Sequence, residues 1–306
     1  MISDHVDASL HPLYRKSYSI QTPAQTELIE EIKRWLYLGA TGGFIWGIPR
    51  CGKTVAIQAL ERSLTTRAGQ PIPVFIYNAK TFHMTTDNKH WHALLLGFGH
   101  AFASKGRAID KYQRLIGLLA ESATVNERNQ VVVVVDEAQK WRRLEYEFMV
   151  DLGNDLALHN INLSVLLFGT TELREQAQHL TRDLTGHIRG RFFLREIHYR
   201  GLRSKADIAA ALRQFDSVLV WPQEEPKSFT EYFLPEAYEQ NFRLEDLAGY
   251  FWHVFQDERQ RHGLTDWPLY YFIATVELLL LDYLPSMKPQ ACDVRTVAAA
   301  FAMSAV

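Results

Sequence analysis

The octapeptide GIPRCGKT, residues 47–54, follows directly on the short apolar run GGFIW and leads into KTVAIQALERSL. A strand, a glycine-bracketed turn and a helix in that order make the phosphate-cradling pattern G-x-x-x-x-G-K-[ST]. The glycines let backbone N–H groups turn inward around a polyphosphate, and the helix start adds unpaired donors and the positive end of its dipole. Lys53 then supplies a point charge to the β- and γ-phosphates, and Thr54 a hydroxyl to Mg²⁺. With Gly47, Pro49, Arg50, Cys51, Gly52 and Val55, these two residues form the expected binding set for ATP and Mg²⁺. The alternative, a glycine turn with a surface lysine, is disfavoured by the strand–loop–helix context.

The rest of the chain fits that restriction as far as about residue 203. TPAQTELIEEIKRWLYLG predicts a helix with Thr22 as N-cap, Pro23 at the first position and Gln25 completing a capping box; Gly39 is its stop. Further strands are expected in PVFIYNA, QVVVVVDEAQ, LSVLLFGTTEL and RFFLREI. Helices are expected from about Asn88 to Ala103, near DKYQRLIGLLAES and in WRRLEYEFMVDLGNDLAL. The unbroken valines of the third strand have no alternation, as in a strand covered on both faces. Alternating strands and helices imply a parallel sheet with right-handed crossovers. After SKADIAAALRQF come helical stretches separated by proline-bearing breaks such as VWPQEEPKSF. The expected architecture is an α/β P-loop NTPase, a parallel sheet flanked by helices, followed by a smaller all-helical lid domain. Its expected parts are an N-terminal extension at 1–21, the α/β domain at 22–203 and the lid at 204–306.

Composition limits the partners. The net charge is -2, so attraction to nucleic acid would need a local patch. Two cysteines, Cys51 and Cys292, argue against a disulfide framework or cysteine zinc site and fit a reducing cytosol, hence a cytoplasmic protein. The first twenty residues carry early acids and no apolar core, unlike a signal peptide. YYFIATVELLLLDYL is broken by Glu277 and Asp282 and bounded by Pro268 and Pro285, too short and charged to span a bilayer. A buried lid helix is expected there, with no membrane partner.

Chemistry is expected where strands end. Asp136, closing the valine strand, can hold Mg²⁺ through its water shell, and Glu137 can polarise the attacking water as a general base. In LLFGTTEL, Thr170, with Thr171 second, can contact the γ-phosphate or orient the water; capping the following helix is the competing role. From Thr181 to Lys205 there are seven Arg/Lys against two Asp/Glu, an excess of five. Arg191 first and Arg189 second are placed to reach a neighbouring subunit's γ-phosphate, where a guanidinium would stabilise transition-state charge; solvated or DNA-facing arginines are the alternative. ATP would then sit at the joint of α/β domain and lid, and hydrolysis would disfavour assembly.

This order of elements resembles the AAA+ ATPases, and within them the TnsC/TniB transposition regulators and the related ExeA-like ATPases. GIPRCGKT, VVVVVDEAQK, FGTTELR and GRFF carry the resemblance, across residues 43–196. It implies a Mg·ATP-dependent homo-oligomer, a ring or helical filament around duplex DNA, that bridges a TniQ-like target selector to a transposase. Lys53, Thr54, Asp136 and Glu137 match ATP-site positions of the family, while Arg243 and Arg295 both fit a second sensor in the lid. A nucleotide-gated scaffold or secretion-type ATPase that never touches DNA is the competing reading, and a simple P-loop kinase is disfavoured by the hydrolytic glutamate.

For DNA, Lys105, Arg107 and Lys111 surround a glycine-bearing turn and would form a patch on an inner surface; a solvated helix connection is the alternative. His83, His90 and His92 lack a supporting carboxylate or cysteine, so structural roles are expected rather than a metal site. The tryptophans, Trp46 and Trp141 among them, read as core or interface.

Overall fold

The computed structural model describes residues 8–182 and 186–304. Within it the chain forms two compact units. One, an α/β unit, comprises Glu27–Pro49 and Lys53–Tyr199; the other, a helical unit, comprises the described residues up to Thr26, the short piece Arg50–Gly52, and the chain from Arg200 onward.

The α/β unit holds five parallel strands: β1 (Gly42–Trp46), β2 (Val74–Asn78), β3 (Gln130–Asp136), β4 (Asn162–Gly169) and β5 (Glu196–His198), in the order β2-β3-β4-β1-β5. Its helices are α1 (Pro23–Tyr37), whose first turn begins before this unit, α2 (Lys53–Ser63), α3 (Asp87–Gly97), α4 (Ala108–Ala123), α5 (Arg143–Leu158), α6 (Thr171–Arg182) and α7 (Gly186–Phe192). All seven residues of β3 are buried, and β2 and β4 flank it on its two edges, which is why its β-branched side chains need no polar alternation. Register lines up the strand ends that matter: Trp46 pairs with Gly169, Val135 with Leu167, and Asn78 with Asp136. Val131, Val133 and Val135 share one apolar cluster with Trp91, Leu115, Leu119, Tyr146 and Phe192.

Local signals are read out in the backbone. Thr22 Oγ1 accepts the Gln25 N–H at 3.2 Å at the start of α1, and Gly39 lies at φ +72° just past its end. The paired glycines of β1 answer a packing demand. A Cβ on Gly43 would stand 2.3 Å from the Trp35 ring.

Two expectations are corrected. The third helix stops at Gly97 instead of reaching Ala103, because Gly99 takes φ +72° and the His100 N–H turns back to the Leu95 carbonyl at 2.9 Å. RFFLREI is not one strand. Its first two residues end α7, whose buried Ile188 and Phe192 are one helical turn apart, and β5 begins only at Glu196. A short apolar run serves either period, and here the helical spacing wins.

In the helical unit the main helices are α8 (Lys205–Ser217), α9 (Ala248–His262), α10 (Leu269–Leu278) and α11 (Val294–Ser304). Phe215, Phe229, Phe251, Phe255, Trp267 and Phe272 fill its core together with Leu13 and Ile20. The proline-bearing break at VWPQEEPKSF folds as a small antiparallel hairpin, Val220–Trp221 against Lys227–Ser228. The apolar run after Pro268 forms α10 and a π-helical turn, Leu279–Tyr283, with Leu279 and Leu280 buried. Its Glu277 is 5% exposed and accepts hydrogen bonds from Tyr18 Oη at 2.8 Å and from Lys16, which is how a carboxylate is tolerated there. Among the described residues no helix is long and apolar enough to cross a membrane.

Candidate functional site

The GIPRCGKT loop leaves β1 at Gly47 and enters α2 at Lys53. Two of its residues adopt left-handed backbone, Arg50 at φ +64° and Gly52 at φ +99°. The first costs a non-glycine residue strain of the kind kept at ligand-holding turns. Lys53 is 8% exposed, and its ammonium donates to the carbonyl oxygens of Gly47 at 2.9 Å and Ile48 at 2.8 Å. A buried lysine is thus held in the loop by carbonyls that a phosphate group can replace as acceptor. Thr54, one residue into α2, is exposed and Val55 half-buried.

Within the helical unit, Arg50 donates to Tyr271 Oη at 2.7 Å and lies 4.9 Å from the Tyr270 ring centroid; Cys51 is buried.

At the end of β3, Asp136 is 8% exposed. Burial pushes its carboxyl above the usual carboxylate range; the Glu137 charge adds to this, while the Glu137 N–H, Lys53 and Lys140 pull the other way. Glu137 itself sits at φ +57°, ψ 36°, another strained non-glycine position. Its Oε2 accepts from Gln139 Nε2 at 3.0 Å and lies 3.5 Å from Lys140 Nζ.

Past β4, the Thr170 hydroxyl is buried and has no hydrogen-bond partner among the described residues. It does not cap α6, unlike Thr22 at α1. Its N–H reaches Gln139 Oε1 at 3.4 Å. Thr171 is exposed at the start of α6. Arg191 lies on α7 and donates to Asn154 Oδ1 of α5, whereas Arg189 is exposed.

The basic turn divides. Lys105 and Arg107 are exposed, but Lys111 is 5% exposed and donates to Asn88 Oδ1 at 2.6 Å and the Gly106 carbonyl at 3.1 Å. Its ammonium is therefore occupied in tying α4 to α3, and two cations of the trio stay on the surface. In the helical unit Arg243 donates to the carbonyls of Tyr238 and Phe242 at 3.0 and 2.7 Å, and Arg295 is exposed on α11. His90 is buried among Trp91, Trp141 and Phe148, which pushes its pKa down to about 3, and His92 contacts the Ala103 carbonyl at 2.9 Å. Among the described residues no group of three or more His, Cys, Asp or Glu could hold a metal.

Two side chains stand out that the sequence did not single out. Gln139 touches both Glu137 and the end of β4. Arg174 lies 4.6 Å over the Trp46 ring and 3.3 Å from Glu196, which accepts the Trp46 indole N–H at 2.6 Å; His198 stacks on the same indole at 4.0 Å. Both belong to motifs already singled out, DEAQ and GTTELR, and polar residues next to strand ends were the signal available.

Residues 38–177 match the family described as AAA domain. Among solved structures the chain is similar to the Aeropyrum pernix ORC2 protein in its ADPNP-ADP complexes, at 12% identity and TM-score 0.56, covering 96% of this chain and 71% of that one. The ADP form of the same protein aligns at 14% identity and TM-score 0.53, over 91% and 67%. A Drosophila ORC structure bound to DNA aligns at 11% identity and TM-score 0.52, over 98% and 64%. No curated protein matches the chain in sequence. The fold is the P-loop AAA+ fold shared with ORC proteins, a parallel five-stranded sheet flanked by helices with a helical C-terminal region.

Proposed function

We propose that the chain is a Mg·ATP-dependent ATPase that acts as an assembly switch. The observation that carries this reading is a lysine buried in the GIPRCGKT loop together with a carboxylate buried at the end of β3. Lys53 sits in its loop on the carbonyls of Gly47 and Ile48, and Asp136 is the last residue of β3. Gly47, Pro49, Arg50, Cys51, Gly52 and Val55 supply loop backbone to the phosphates, and Lys53 takes the β- and γ-phosphate charge.

The donor set fits Mg²⁺. Asp136 carries a carboxylate whose ionised form burial disfavours, and Thr54 an exposed hydroxyl at the helix start. When bound there, the ion would offset the negative charge of the phosphates. Glu137 orients water and takes its proton, and the Thr170 hydroxyl, unpartnered among the described residues, donates toward the γ-phosphate. Arg191 of a neighbouring protomer, with Arg189 as substitute, stabilises the departing charge once it leaves Asn154. General-base catalysis contributes ~10²–10⁴-fold, so Glu137→Gln should retain ATP and lose hydrolysis by about that factor while holding the assembled form. Equal turnover by the two proteins would remove Glu137 from the role.

The finer reading is a regulator of transposition that assembles as a ring or filament on duplex DNA and joins a target selector to a transposase. It rests on the resemblance of GIPRCGKT, VVVVVDEAQK, FGTTELR and GRFF to that group and on the exposed pair Lys105 and Arg107. Each cation taken away from a DNA phosphate should flatten the salt dependence of DNA affinity by about one unit of slope. Lys105→Ala with Arg107→Ala, measured on duplex DNA with a non-hydrolysable ATP analogue, should show that flattening. Unchanged affinity and slope would favour the competing reading, a nucleotide-gated interaction module without DNA.

A further inference from the structure

We infer that Gln139 is a positioning residue for hydrolysis: its side-chain amide lies between the Glu137 carboxylate and the backbone at the end of β4 and fixes how Glu137 meets water. The inference rests on the reading of Glu137 as general base. Gln139 Nε2 donates to Glu137 Oε2 at 3.0 Å, and Gln139 Oε1 accepts the Thr170 N–H at 3.4 Å. The amide is thus used at both ends, once as donor to a carboxylate and once as acceptor from the residue that follows β4.

The rest of the site is built to hold it there. The Gln139 carbonyl accepts from Gln176 Nε2 of α6 at 2.6 Å. Gln176 Oε1 in turn lies 3.4 Å from the hydroxyl of Tyr146, which is 1% exposed and also reaches the Ala138 carbonyl at 3.3 Å. Gly169 leaves the room: a Cβ there would stand 2.6 Å from Gln139 Oε1. The strained backbone at Glu137 is therefore surrounded by contacts that over-determine it, the condition under which such strain persists.

The division of labour on the carboxylate follows. Oε2 faces Gln139 and Lys140, which leaves Oε1 to take the proton from water. Only a neutral amide satisfies both neighbours. Glutamate at 139 would keep the size and the acceptor but press a second carboxylate on Glu137, and leucine would offer neither bond. Because the same amide touches the Thr170 backbone, a γ-phosphate engaging Thr170 is relayed to Glu137.

The test uses the full chain with Gln139→Leu and Gln139→Glu, reading kcat, KM and the ATP dissociation constant. Loss of a hydrogen bond to a charged group corresponds to ~10–100-fold; kcat should fall by that much while KM and ATP affinity move less than about threefold. Gln139→Glu should fall at least as far as Gln139→Leu although it preserves shape. Added to Glu137→Gln, Gln139→Leu should cause no further loss. The inference is overturned if Gln139→Glu keeps parental kcat, if affinity and kcat fall together, or if the losses at 137 and 139 simply multiply. Should Gln139→Leu fail to fold by its melting curve, the isosteric Gln139→Glu decides alone. Parental turnover in Glu137→Gln overturns the general-base reading and this inference with it; an impaired Glu137→Gln beside unaffected Gln139 variants overturns this inference only.

Discussion

The Asp136 carboxylate accepts the backbone N–H of Glu137 at 2.9 Å, so the acid expected to face the metal also shapes the backbone under the acid expected to activate water. That single bond, together with the attraction of Lys53 and Lys140, does not offset burial, and the Asp136 carboxyl ends above its ordinary range. The folded protein therefore holds this proton more tightly than the unfolded chain. The stability from Asp136 is present below the ordinary carboxylate pKa and is lost as pH rises through the raised folded value. Above that folded value the ionised group is a cost. Asp136→Asn should raise the melting temperature at neutral pH, with the difference from the parent shrinking toward acid pH, and should abolish magnesium-dependent ATP binding. Thermal melts across pH check the first part, and a melting temperature lowered at every pH would contradict it.

Thr170 offers a second separation of stability from activity. A buried hydroxyl without a partner costs ~1–3 kcal/mol, and this one neither caps a helix nor bonds a neighbour among the described residues. Thr170→Val keeps the shape and removes the polar atom. Stability by denaturant titration should be unchanged or raised by up to about 1 kcal/mol, while ATP turnover falls at least tenfold. A clear loss of stability would mean that the hydroxyl has a structural partner.

Gly43 tests the packing behind the loop. Alanine there would press the Trp35 ring, and overpacking costs ~1–3 kcal/mol. Gly43→Ala should lower the melting temperature by several degrees and leave ATP affinity within about threefold, since the change is absorbed on α1 rather than in the loop.

Much of this was legible in the residues. GIPRCGKT, the valine run and the apolar stretches of β2 and β4 place the sheet because a covered parallel strand has a distinctive composition and the loop has a distinctive spacing. RFFLREI misled because three apolar residues at a helix end look the same as a strand start; only the burial of Ile188 with Phe192 distinguishes them. Lys111 reads as a surface cation in the sequence, yet Asn88, twenty-three positions earlier, takes its charge inward. Gln139 was hidden for a different reason. Its bridge depends on left-handed backbone at a glutamate and on an absent side chain at Gly169, and neither is announced by residue type.

The most direct measurement is calorimetric titration of Mg·ATP into the parent protein and into Lys53→Met. Removing one charged donor to phosphate corresponds to ~1.5–3 kcal/mol, so the parent should bind with measurable heat and the variant about 10–100-fold more weakly. Binding of equal strength by both proteins, or no heat of ATP uptake by the parent, would contradict the assignment of this loop to a triphosphate.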